Sequence, residues 1–129
     1  MSTDFICVYS QATREEALER IRRSTGSPDS ITWIYVMNQH RRLKGAIQVV
    51  DLVRAEPDAA VGDIARPARH VRPDADLEEV ARLMTDYDLT VVPVVDDEQQ
   101  LLGVITVDDV LELVLPRGWR RSFRVFGDD

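Results

Sequence analysis

Short apolar runs alternate with stretches of helical period along this chain, and the whole alternation occurs twice. Residues 5–8 form a compact apolar run of strand length. Thr13-Arg14-Glu15-Glu16 then offers an oxygen side chain followed three residues on by glutamate, the pattern of a capped helix start. The β-branched runs 32–37 and 43–49, joined by the polar residues 38–42, predict a hairpin, and a second helix is expected from Val50. The same grammar returns downstream. A short run at 70–72 leads to Asp76-Leu77-Glu78-Glu79, a second capped start, with Leu77, Val80, Ala81 and Met84 at helical spacing. Runs 89–95 and 101–107 flank the polar residues 96–100, and a last helix is expected from Asp108.

The recurrence is a true internal repeat. Residues 33–51 lie over 91–109 at a constant offset of 58, which pairs Val36 with Val94, Leu43 with Leu101, Gly45 with Gly103, Ile47 with Ile105, Val49 with Val107 and Asp51 with Asp109. Residues 8–21 lie over 71–84 at an offset of 63, pairing Ala12 with Ala75, Glu15 with Glu78 and Glu16 with Glu79. The difference of five residues is an insertion around Ser24-Thr25-Gly26-Ser27-Pro28, whose composition predicts a loop. The expected fold is therefore α/β in composition (an α+β arrangement), with two β-α-β-β-α units related by a pseudo-twofold axis. Copy one is expected at 1–56, a linker at 57–67, copy two at 68–115 and an arginine-aromatic tail at 116–129.

Charge separates the copies. Residues 1–73 hold 9 acids and 11 bases, whereas residues 74–112 hold 12 acids and the single base Arg82. Such a surface repels nucleic acid and attracts cations. No apolar run approaches the roughly 18 residues of a membrane span, which gives the sequence a cytoplasmic character and leaves open that it is the cytosolic part of an inner-membrane protein. One cysteine, Cys7, sits in the first apolar run and reads as a small hydrophobe. No nucleophile-and-base spacing or phosphate-cradling glycine loop is present, and His40 and His70 stand alone, so an enzyme is not expected.

A β-α-β-β-α repeat whose last strand reads Gly103-Val-Ile-Thr-Val-Asp-Asp109 resembles a CBS motif, and two copies resemble the usual CBS pair. The run from Asp76 to Asp96, followed by Gly103-Val-Ile-Thr-Val-Asp-Asp-Val-Leu111, is closely similar to the second CBS motif of MgtE-type magnesium channels. The opening Met1-Ser-Thr-Asp-Phe5 resembles that family's junction with a helical N-terminal domain, so Met1 is readable as an internal residue of a longer parent with a membrane domain.

That resemblance implies a regulatory domain, two pairs assembling as a homodimer, carboxylates that bind Mg2+ and hold a compact state, and a cleft for ATP or another adenine nucleotide. The matching carboxylates are Asp76, Glu78, Asp88, Asp109 and Glu112. Magnesium takes oxygen ligands and keeps several waters, so a dense acidic surface suits it. Each of these residues also has an ordinary structural role open to it: a cap, a helix-terminal charge, a turn, a solvated face. For the nucleotide the matching residues are Thr106 and Asp109, with Phe5 and Arg22 beside the base and phosphates. Copy one has Gln48 in place of the threonine and keeps Asp51, and Leu89 stands where an aromatic would stack. Thr106 to Asp109 is itself a capping box.

The family's helix toward the membrane should continue past Leu115. Instead Pro116-Arg-Gly breaks the pattern, and Trp119, Phe123 and Phe126 follow among four arginines. Two other readings therefore stay open: an adenine-nucleotide-binding CBS module of a soluble protein, and a structural dimerisation module. Helix residues Val80, Met84, Val110 and Leu113 are the apolar positions expected at a homodimer interface.

Overall fold

A computed structural model describes residues 1–26, 28 and 31–115; the tail at 116–129 lies outside the described residues. The chain runs β1 (Ile6–Tyr9), α1 (Arg14–Arg23), β2 (Trp33–Met37), β3 (Leu43–Gln48), α2 (Val49–Arg54), α3 (Val61–Ile64), α4 (Leu77–Tyr87), β4 (Val91–Val95), β5 (Leu101–Thr106) and α5 (Val107–Val114). In the first half the crossover through α1 sets β1 parallel to β2, and the predicted hairpin sets β2 antiparallel to β3. The second half repeats the hairpin with β4 and β5.

The strand expected at 70–72 contracts to one residue, Val71, bridged in parallel to Val94. Two prolines account for this. Val71 donates to the Pro93 carbonyl and Val95 donates to that of Val71. The next bond of a parallel ladder would come from residue 93 on one side and residue 73 on the other, and both are prolines without an N–H. In copy one Ser10 occupies the position of Pro73, and its N–H does donate, to Met37.

The two hairpin turns are built alike. The Asn38 carbonyl Oδ1 accepts from the N–H groups of His40 and Arg42, and Asp96 Oδ1 accepts from those of Glu98 and Gln100. Arg41 and Gln99, at equivalent positions, both take left-handed φ values of 63° and 66°. Arg42 and Gln100, also equivalent, bridge one another, which places the pseudo-twofold axis between them.

Alternation along the strands divides the apolar residues between two faces. Ile34, Val36 and Ile47 pack with Ala17 and Leu52 under the helices of the first half, and Val92 and Val94 pack with Val80, Met84 and Val110 in the second. Tyr35, Ala46, Val91 and Val104 point the other way and form a third cluster between the sheets. Of the four residues expected at a dimer interface, Val80, Met84 and Val110 are thus core, because their side of each helix faces its own sheet. Leu113 is exposed, as are Val50, Val53, Leu111 and Val114.

The linker expected at 57–67 also contributes to the core. Its Val61 begins the one-turn α3, donates to the Ala12 carbonyl and is fully buried. Beyond it Arg66 exchanges two backbone bonds with Ala46 on the outer edge of β3, and Ser2 does the same with Val104 on β5. The entry segment of each copy therefore crosses to the sheet of the other.

Candidate functional site

These crossing segments make a cleft between the halves. Pro67, Ala68 and Arg69 form one wall, Trp33, Tyr35 and Ala46 of the first sheet the floor, and Leu89, Val91 and Pro93 of the second sheet the far side, around a cavity of about 50 Å³ that opens to solvent. Its lining side chains are apolar apart from the Tyr35 hydroxyl, the Trp33 indole N–H and the Arg69 guanidinium. Burial pushes the Tyr35 phenol above its ordinary value, with the nearby Cys7 adding to the shift, so the hydroxyl stays neutral. Arg69 lies at the exposed side with its guanidinium 3.9 Å from the Tyr87 ring centroid. A slot with an aromatic floor and one cation suits a flat ring carrying an anionic group.

The four residues expected around a nucleotide are distributed elsewhere. Thr106 stands across the ladder from Val91, a cleft residue, but its hydroxyl accepts the Asp109 N–H while Asp109 returns the bond to the Thr106 N–H, a complete capping box. Phe5 lines a second groove with Cys7, Tyr9, Met37, Arg41 and Leu101. Burial raises the Cys7 thiol there to about 11, against which Arg20 acts weakly. Arg22 is exposed on α1 and paired with Glu19, whose carboxyl Arg22 and Arg23 hold below its ordinary value. Trp33, Ala68 and Arg69 were not singled out from the sequence. The repeat offset carried the signal for one of them: Phe5 superposes on Ala68 at the same offset of 63 that aligns the first strands.

The five carboxylates expected to take magnesium fall on two helices. Asp76 caps α4 by accepting the Glu79 N–H at 2.8 Å. Glu78 pairs at 2.7 Å with Arg82, the one base of the acidic block. Asp88 closes the same helix in left-handed geometry with φ 53°. Asp76 and Asp88 therefore bracket an 11-residue helix and stand roughly 18 Å apart along its axis. Asp109 and Glu112 lie on α5, Asp109 in its capping box. One ion cannot reach across that span, and among the described residues no group of three His, Cys, Asp or Glu side chains converges to hold a metal. A groove along α4 is lined by the acidic residues Asp76, Glu78, Glu79 and Asp86, with Arg82 among them.

Known proteins resemble the chain along nearly its whole length. The CBS domain family profile matches residues 1–58 and 61–116. The magnesium transporter MgtE of Thermus thermophilus is 45% identical over 115 residues, 88% of this chain, and that of Bacillus subtilis 32% identical over 117 residues. The chain spans about a quarter of those relatives, 26% of each. Among solved structures, the cytosolic domain of the Mg2+ channel MgtE in complex with ATP superposes with a TM-score of 0.83 at 45% identity, covering 88% of this chain and 46% of that one. The soluble part of a magnesium transporter superposes with a TM-score of 0.80 at 30% identity, covering 87% and 44%. Among the described residues no helix is long and apolar enough to cross a membrane. Both copies of the repeat, their shared inter-sheet cleft and the two profile matches place this chain in the CBS domain family, as a tandem pair.

Proposed function

We propose that this CBS pair is the regulatory, non-catalytic sensing domain of an MgtE-like magnesium transporter, responding to Mg2+ through its acidic helices and to an adenine nucleotide through the inter-sheet cleft. The observation that carries the magnesium reading is the spread of carboxylates along α4 and α5. Asp76 and Asp88 are too far apart for one ion, so the acidic surface suits several weak, partly hydrated ions, or sites completed by a facing copy. Exposed Val50, Val53, Leu111, Leu113 and Val114 on α2 and α5 support pairing of two copies through their helices. Facing acidic surfaces would repel until a divalent ion lies between them, which supplies the driving force of a switch. The parent chain then contributes an N-terminal helical domain and a membrane domain, and the domain works on the cytoplasmic side.

Denaturation with and without millimolar MgCl2, at ionic strength matched with NaCl, tests this reading. Magnesium is expected to stabilise by roughly 1–3 kcal/mol, the mass-action gain at ten to a hundred times a weak dissociation constant, while light scattering reports a dimeric mass. Screening by sodium is not coordination and should do less. Equal effects of the two salts would remove the magnesium reading. Calorimetric binding of ATP alone would then favour a nucleotide sensor acting on another partner, and a dimer that binds neither would favour a structural dimerisation module.

A further inference from the structure

We infer that Arg69 is the anion-recognising arm of the inter-sheet cleft, and that it sets the preference for phosphorylated over unphosphorylated ligands. This rests on the nucleotide reading above and adds to it a specific residue. Arg69 is the one charged residue among those lining the cleft, and the walls beside it are apolar or aromatic. A base held between Trp33 and Leu89 finds no charge partner there. Among the lining residues, discrimination by charge falls to the arginine.

Position and constraint both suit Arg69 to that task. Its backbone lies at the end of the Pro67-Ala68-Arg69 segment. That segment is fixed three residues upstream, where Arg66 exchanges bonds of 3.0 and 2.9 Å with Ala46, and two residues downstream, where Val71 pairs with Val94. The stem is thus anchored and the side chain is exposed. Its guanidinium lies over the Tyr87 ring at 3.9 Å, a contact that is weak at an exposed site and gives way to a doubly bonded phosphate. Guanidinium geometry suits two phosphate oxygens at once, which an ammonium group cannot match.

The measurement is calorimetric affinity for adenosine, AMP and ATP, in the absence of magnesium, on the parent chain and on Arg69→Ala, Arg69→Lys and Tyr87→Leu. In the parent, AMP and ATP should bind more tightly than adenosine. Arg69→Ala should erase the phosphate advantage, lowering the ratio of ATP to adenosine affinity roughly tenfold or more. Arg69→Lys should restore part of it. Tyr87→Leu should keep or increase the advantage, since the contact with the tyrosine ring no longer competes for the guanidinium. An ATP-to-adenosine ratio that survives in Arg69→Ala would overturn the role of Arg69 and leave the nucleotide reading intact. A parent chain that binds neither adenosine nor nucleotides would overturn both.

Discussion

At Gly45 and Gly103 an entry segment lies directly against a strand of the other copy, and the need for glycine is steric. Neither has a positive φ. A Cβ on Gly45 would stand 2.8 Å from the Arg66 carbonyl oxygen and 3.0 Å from the Ala65 Cβ, and one on Gly103 would stand 2.7 Å from the Ser2 oxygen and 2.8 Å from the Met1 side chain. Each glycine lets the entry segment of the other copy lie on its strand. Gly45→Ala should therefore cost about 1–3 kcal/mol in chemical denaturation, and Gly103→Ala less. Besides a backbone oxygen, a Cβ on Gly45 would meet the rigid Ala65 Cβ, whereas one on Gly103 would meet the flexible Met1 side chain, which can move aside. Equal costs would show that the two crossings are equally rigid. At the same scale, Asp88 puts a carboxylate at the C-terminal end of α4 in left-handed geometry. There a negative charge opposes the helix dipole and asparagine is well tolerated. Asp88→Asn should raise stability without magnesium by about 0.3–1 kcal/mol and shrink the stabilisation that magnesium gives. A loss of stability with an undiminished magnesium response would mark Asp88 as structural only.

At the level of elements, caps and prolines decide what each repeated segment becomes. The box closing α5 joins Thr106 and Asp109 in both directions, and Thr106 is the buried polar residue of the described core. Thr106→Val keeps the shape and removes the acceptor for the Asp109 N–H, so it should cost about 1 kcal/mol. If Thr106 also serves a ligand, nucleotide affinity will fall along with stability; if the hydroxyl only caps, affinity will hold while the melting temperature drops. Asp109 carries the same ambiguity, since its carboxylate is already bonded to the Thr106 N–H. Copy two shows how little sequence change reshapes an element. Pro73 and Pro93 each withhold one N–H, and a strand becomes a single bridge.

Across the whole molecule, the inter-sheet layer joins halves of opposite charge character, and it should also set the response to alkaline pH. Cys7 packs against that layer and its thiol is raised by burial from an ordinary 9.0 to about 11. A raised folded value means that the native state favours the protonated thiol. The stabilisation is complete below pH 9 and is lost as pH climbs from about 9 to about 11, worth up to about 2–3 kcal/mol. Tyr35, raised by burial in the same layer, extends the loss in the same direction. Cys7→Ala should flatten the decline of stability between pH 9 and 11 relative to the parent; an unchanged decline would assign it to other groups.

Sequence alone determined the doubled β-α-β-β-α order, the hairpins, the helix caps and the family, because periodicity, capping oxygens and turn residues act within a few positions of one another and were present in two copies. The glycines at 45 and 103 were visible as a repeat but their reason was not, since it lies in a segment of the opposite copy. Tertiary structure alone decided which apolar helix residues were core, sending Val80, Met84 and Val110 inward. It also decided that Val61 of the expected linker is buried, and that Trp33, Ala68 and Arg69 meet in a cleft while Phe5 and Arg22 stand away from it. The same holds for the carboxylates: their sequence density predicts an acidic surface, but helix length sets Asp76 roughly 18 Å from Asp88 and so rules out a single shared ion within one chain. Each of these outcomes depends on which faces two distant segments turn toward each other, and no local pattern carries that information.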